Sequence, residues 1–342
     1  MNQIMNHRNY RSWSVAGVLV ILLLSAPIYL NRYPYQMAII TGAFFYAILA
    51  STWSLLAGTA GQFSFAHMAL MAIGAYTSGL LGRDLGTSPL VGILLGTLMA
   101  GVVGLIIGLL CLRLRGAYLA LFTIAFSEIL RITLLTEFQY TAGSNGLKLA
   151  PLYPGITARA EYYITLSLLI STLLLMYWLV NSRFGLFIRA MREDEDAAGA
   201  MGVNVVRYKV LVFVITSLII GLAGGVFYHQ VGIITPNTME LLEMSLVVAM
   251  AVIGSMESLF GAAFGAIISR IALEMLREIN IFGFHFDLGV WRYAAFGLIL
   301  IFTLRFAQNG LLYPIIERLF LRRTRFETVA KRVDGGGKND PA

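Results

Sequence analysis

Charge is what this 342-residue chain has least of. Asp, Glu, Lys and Arg make up 13% of it, against roughly a quarter in a soluble domain. So few charges leave too little solvated surface for a water-soluble globule of this length. Cysteine is scarcer still. Cys111 stands alone, which excludes an internal disulfide and a multi-thiolate metal site. The four histidines (His7, His67, His229 and His285) are too scattered to form a metal cluster. Chemistry-bearing motifs are missing too: no H-E-x-x-H, no G-x-S-x-G, no paired catalytic carboxylates, and no G-x-x-x-x-G-K-[ST] phosphate loop. The "GGGKND" near the end lacks both the spacing and the hydroxyl of such a loop. The chain is therefore expected to be no enzyme, to hold no cofactor or metal, and to take any energy from ATP through another chain.

What is present is apolar. Hydrophobic residues make 58% of the chain, glycines number 34, and the mean hydropathy is +0.78. Runs of spanning or near-spanning length fall at about 13–30, 37–57, 62–82, 89–112, 117–135, 162–180, 209–231, 241–256, 258–276 and 290–306. The expected fold is all-α and polytopic, with about ten transmembrane segments and both termini cytoplasmic. The run at 62–82 follows its neighbour closely, and 241–276 could be one long helix broken near Gly254. The first run reads as an anchor rather than a cleaved signal. Residues 1–320 form one membrane domain, and 321–342 a basic, disordered cytoplasmic tail.

The net charge of +7 could suggest nucleic acid. The basic residues, however, lie between the apolar runs, so membrane topology accounts for them and no nucleic-acid partner is expected. With a cytoplasmic N-terminus the inside collects Arg8, Arg11, Arg113, Arg115, Arg183 to Lys209 and the tail from Arg318. The outside keeps Arg32, Arg83, Lys148, Arg159 and Arg277. This is the positive-inside pattern.

Small residues recur every fourth place at Gly92, Gly96, Ala100, Gly104 and Gly108. They recur again at Gly254, Ser258, Ala262, Ala266 and at Gly261, Gly265, Ser269. Such stripes let helices approach closely in lipid. Two pairs, Glu128 with Arg131 and Arg270 with Glu274, have ion-pair spacing on a helix and are expected to turn toward the bundle interior.

In "AGTAGQFSFAHMALMAIGAY" (57–76), Gly58 and Gly61 break a helix while Gln62 and Ser64 could cap the next. Ser64 and His67 share a face of its first turns, and a helix starting at membrane depth offers free N–H groups to a passing carboxylate. Gln62, Ser64 and His67, with Glu128 as support, are the candidate pathway residues. "TAGSNGL" (141–147) is a polar turn at the opposite, external mouth.

"REDEDAAGAMG" (192–202) lies between two long apolar runs. Its acids favour a helix start, and Gly202 its end. Ala197, Ala198 and Met201 would present a face small enough to enter a groove. A helix this short gains little by itself, so a partner burying that face is expected, with Glu195 and Asp196 beside it. We place the element at about 193–202.

Taken in order, several stretches resemble the LivM-type permease subunits of branched-chain amino acid ABC importers. They are "GQFSFAHMALMAIGAYTSGLL" (61–81), "LRGAYLALFTIAFSEILRI" (114–132), "TAGSNGL", "RAMREDEDAAGAMGVNVVRYKVLVFVITSLIIGLAGGVFY" (189–228) and "SLVVAMAVIGSMESLFGAAFGA" (245–266). Ala66, Ala142 and the form Asp196-Ala197-Ala198-x-x-x-Gly202 depart mildly from the usual pattern. The resemblance implies a bacterial inner-membrane importer with a second, LivH-like permease subunit, two cytoplasmic ATPase subunits and an external substrate-binding protein. The stretch 193–202 would dock an ATPase. Related permeases carry urea or short amides. A self-sufficient secondary amino acid transporter, driven by ions through Glu128 or Glu243, is the alternative from another class.

The charge distribution makes a direct prediction. Single cysteines introduced at Gly146 and at Gly199, with Cys111 replaced, should react with an impermeant thiol reagent from opposite sides of the membrane. Reaction from one side only would refute the scheme.

Overall fold

The protein was analysed as a computed structural model that describes residues 23–27, 29, 33–111, 114, 116–281, 284–287, 289 and 291–306. Most of the run at 13–30 and all of the tail at 321–342 lie outside the described residues. Helix α1 (Pro34–Trp53) opens on a proline, whose missing N–H costs nothing at a first turn. It continues through a π-helical turn, Ser54–Thr59. The chain then runs without helix to α2 (His67–Leu85), which stops at Gly86 with φ 64°. Next come α3 (Pro89–Leu110), also opened by a proline, and α4 (Ala117–Thr136). Helix α5 (Ala158–Val180) leads to two short helices, α6 (Arg183–Glu193) and α7 (Glu195–Ala200). They are followed by α8 (Val205–Val231), α9 (Leu241–Gly254), α10 (Leu259–Met275) and α11 (Trp291–Phe306).

The all-α expectation holds. Among the described residues the strands are two short antiparallel pairs in connections: β1 (Leu147–Lys148) with β2 (Ile233–Ile234), and β3 (Glu278–Ile281) with β4 (Phe284–Asp287). Among the described residues, five helices are long and apolar enough to cross a membrane unaided, or six with α9 and α10 counted as one broken span. That is fewer than the ten segments read from hydropathy. The difference has four sources: most of the run at 13–30 lies outside the described residues, the apolar stretch of α11 is only Tyr293–Thr303, and two more concern α2 and the α9–α10 pair. Helix α2 starts at His67 rather than at residue 62 and carries Arg83 and Asp84 at its far end. Helices α9 and α10 meet at a 117° bend, so neither is a simple crossing.

Connections sort to two ends. At one, Arg192 of α6 bonds the Gly58 carbonyl and pairs with Glu257 in the α9–α10 bend. At the other, Arg83 donates to the Tyr140 carbonyl, and His229 bridges Ser78 Oγ (2.7 Å) and the Ala150 carbonyl (2.6 Å). Residues 136–161 and 193–202 thus lie at opposite ends. Gly146 has φ 78°, and a Cβ there would stand 2.8 Å from the Ile234 carbonyl oxygen. Exposed Tyr153 in the same connection is the better labelling position.

Close approach of backbones holds the middle. A Cβ on Gly96 would lie 2.2 Å from the Gly74 oxygen, one on Gly74 2.4 Å from the Gly221 oxygen, and one on Gly221 2.5 Å from Ala100 Cβ. The α3 stripe therefore seats α2 and α8 against one another, as its spacing implies. The other series is corrected. Gly254 and Ser258 do not continue the Ala262–Ala266 face, because the bend separates them; Gly254 instead folds back onto Gly261 and Gly265. Aromatic stacking adds to this core, with Phe45 and Phe227 4.0 Å apart and nearly parallel.

Gly96→Val should prevent the α2–α3–α8 contact, and the protein should lose its monodisperse peak in detergent. Gly42→Ala, at a position where a Cβ meets nothing within 4 Å, should leave that peak unchanged.

Candidate functional site

The passage between α1 and α2, residues 60–66, has no helical hydrogen bonds of its own and is mostly buried. Backbone polar groups in such surroundings need partners, and they draw them from α1 with its π-helical turn and from α4. Gln62 N–H donates to the Leu56 carbonyl (2.9 Å). Trp53 Nε1–H of α1 donates to the Ser64 carbonyl (2.9 Å), and Phe65 N–H to Thr123 Oγ1 of α4 (2.9 Å). Ala66 N–H reaches Ser64 Oγ at 3.2 Å.

The capping roles expected of Gln62 and Ser64 are therefore corrected. Ala66 is the cap residue of α2 and makes no side-chain cap bond. Ser64 serves the turn before it, and the Gln62 side chain caps nothing. Ser64 and His67 are fully buried. Neither ring nitrogen of His67 has a partner in hydrogen-bond geometry, although the Thr52 backbone lies near enough to interact with the ring.

Glu128 behaves differently from expectation. It forms the predicted pair with Arg131, doubly hydrogen-bonded, at 2.9 and 2.5 Å. Yet its side chain is 43% exposed while that of Arg131 is 20% exposed, so the pair sits at the edge of the bundle with its glutamate turned outward. Helix α4 buries Leu119, Thr123 and Ser127, spaced four apart, and one residue further round the helix is about 100° away. Among the described residues no bond joins Glu128 to Ser64 or His67. The other expected pair is loose. Arg270 is 3.9 Å from Glu274 and sits over the Tyr46 ring (5.1 Å). Glu274 accepts instead from Tyr35 (2.7 Å) and Arg277 (3.2 Å). Tyr46 donates to Glu243 (2.8 Å).

At the Arg192 end, α7 is fully capped. Asp194 Oδ1 accepts from the N–H groups of Asp196 and Ala197, both at 2.9 Å. Gly202, with φ 88°, closes the other end, where Val203 N–H returns to Ala198 and Gly202 N–H to Gly199. Ala197, Ala198 and Met201 do not share a face. Ala198 is 6% exposed and packs inward, whereas Met201 is 86% exposed and Ala197 is exposed as well. Adjacent residues on a helix point about 100° apart, which the single-face reading overlooked. Glu195 pairs with Lys209 of α8 at 2.5 Å. Helix α6 was not foreseen. It hides in "RFGLFIRAMRE", whose Gly185, Ile188 and Met191 recur every third residue and are buried. That spacing was the available signal.

The family described as branched-chain amino acid transport system / permease component matches residues 36–304. The chain is 30% identical over 290 residues to the high-affinity branched-chain amino acid transport system permease protein LivM of Escherichia coli K12, covering 77% of this chain and 68% of that one. It is 23% identical over 261 residues to a probable LivM of Methanocaldococcus jannaschii, covering 70% and 75%. It is 27% identical over 259 residues to the permease protein LivH of E. coli K12, covering 66% and 80%. No solved structure matches it.

Thr123→Val would leave the Phe65 N–H unpaired in the interior, a loss of about 1–3 kcal/mol. The melting temperature in detergent should fall, while Thr123→Ser should restore most of it. Equal melting of Thr123→Val and the parent protein would show that the 60–66 passage does not depend on this bond.

Proposed function

The chain belongs to the branched-chain amino acid transport system / permease component family, as a multi-pass membrane protein of the LivM type, and on that premise we propose that it is the translocating subunit of an importer driven by ATP hydrolysed on partner chains. Its cargo is a branched-chain amino acid, delivered by an external binding protein and released to the bacterial cytoplasm. The observation that carries this reading is α7. It is a six-residue helix capped at both ends, standing at the end of the bundle with Met201 projecting. A helix built to keep its shape and to expose a methionine suits the groove of an ATPase subunit.

The Glu128–Arg131 pair at the edge of the bundle supports a second permease subunit. Glu128 lies roughly 17 Å along α4 from Ala117, near the middle of a crossing, and lipid does not tolerate an exposed ion pair there. A LivH-like partner across a polar passage would cover it. Ser64, His67 and Gln62 would border that passage once α2 shifts, where the α2 N-terminus and a neutral imidazole would meet a substrate carboxylate. Glu128 and Glu243 are both already engaged, by Arg131 and Tyr46, which speaks against an ion-driven carrier.

In proteoliposomes of the complete importer with ATP enclosed and the binding protein outside, leucine, isoleucine or valine should accumulate only with ATP. Uptake driven by an ion gradient without ATP would overturn the reading. Because Ala198 packs inward, the docking test belongs at Met201. Met201→Arg should leave the chain in the membrane but reduce both retained ATPase and uptake, and wild-type uptake would remove α7 from the docking role.

A further inference from the structure

A cavity of about 40 Å³ lies where α7 meets the membrane part, lined by Gln62, Cys111, Glu195 and Lys209 among others. Three of its wall positions are glycines, Gly61, Gly108 and Gly116, which leave the space unfilled. Lys209 is the fifth residue of α8 and is 7% exposed. A buried ammonium is kept only beside a counter-charge, and Glu195, the first residue of α7, supplies one at 2.5 Å. Gln62 faces the same cavity at 5% exposure, and neither its amide oxygen nor its amide nitrogen has a partner. A buried amide with both groups unmet is costly and calls for an explanation.

We propose that Lys209 is a positioning residue that exchanges its ammonium between the Glu195 carboxylate and the Gln62 amide oxygen, and so carries movement of α7 into the 60–66 passage. The inference rests on the docking role of α7. With Glu195 in place, α7 is held to α8. When a docked partner draws α7 away, Lys209 would be left buried and unpaired, and Gln62 Oε1 is the acceptor on the wall of the same cavity. Gln62 follows Gly61, whose φ of 71° suits a glycine and where a Cβ would lie 3.2 Å from Arg192 Cγ, and precedes Ser64 and His67. A swing of the Gln62 side chain toward Lys209 therefore pulls directly on the passage. These are two discrete arrangements of one charge, the kind of element that transmits a displacement rather than absorbing it.

The test uses the complete importer in vesicles, reading ATP-driven leucine uptake, ATP hydrolysis and retained ATPase together. Failure of the unmutated importer to take up leucine with ATP would overturn the functional reading and this inference with it. Given a working importer, Lys209→Met and Glu195→Gln should each lower uptake by about tenfold or more while ATPase is retained and hydrolysis persists. The swapped E195K/K209E should recover to within about threefold of the parent, since the Gln62 amide can also donate to a carboxylate at 209. Gln62→Leu should lower uptake with the Glu195–Lys209 pair intact. Gln62→Glu, close in shape and safe for folding, should hold Lys209 permanently and also lower uptake. Parental uptake in Lys209→Met or Gln62→Glu, or a swapped variant no better than the single ones, would overturn the exchange.

Discussion

Where a chain leaves helical geometry in a buried position, its freed N–H and C=O groups must find partners within the protein. Residues 60–66, mostly buried, do this between α1 and α2, and much of the surrounding architecture can be understood as the supply of their partners. Trp53 must present its indole, Thr123 must present its hydroxyl, and the π-helical turn at Ser54–Thr59 must offer Leu56. Those demands fix where α1 and α4 stand relative to α2. Gly58 lets this happen at close quarters, since a Cβ there would lie 1.8 Å from the Met256 oxygen of the α9–α10 bend. The bend in turn is pinned by Ser54, whose hydroxyl donates to Met256 (2.7 Å), and by Arg192. One irregular passage thus ties together α1, α4, α6 and the bent pair.

Around it, helices are held by shape rather than by hydrophobic burial, which lipid largely removes as a driving force. The Gly74–Gly96–Gly221 contact brings three backbones together, and polar side chains lock the ends. His229 is the clearest lock. Because the Ala150 carbonyl can only accept, Nδ1 carries the proton and Nε2 accepts from Ser78. The same end is closed by the β1–β2 pairing and by Leu149 N–H bonding Gly232 (2.9 Å).

Much of this was legible in the sequence. Long apolar runs gave α3, α4 and α8 to within a few residues, and the four-residue recurrence of small side chains correctly named the α3 contact face. The acids of 193–196 and Gly202 marked α7. What escaped had physical reasons. An i, i+3 pair such as Glu128–Arg131 announces that two charges meet, but not which way the helix turns. The break near Gly254 was legible, but not its 117° angle, which falls at Ser255, held at φ 133°, where a serine gives no warning of a conformation usually left to glycine. Lys209 reads as one more basic residue at a span end; its burial depends on Glu195, which approaches from a separate helix. The break at Gly58 and Gly61 was legible, but the groups that satisfy residues 60–66 were not, because Trp53 and Thr123 reach them from other helices.

The double capping of α7 has a consequence for association. Asp194 and the Gly202 turn satisfy the ends of this helix from within the chain. It does not need a partner to hold its form. A segment that folds only on contact spends part of its interaction energy on ordering itself. A preformed one meets its partner as a finished object. In the proposed docking role, recognition at α7 would therefore be a matter of fit between rigid surfaces, and release would leave the helix unchanged and ready for the next encounter.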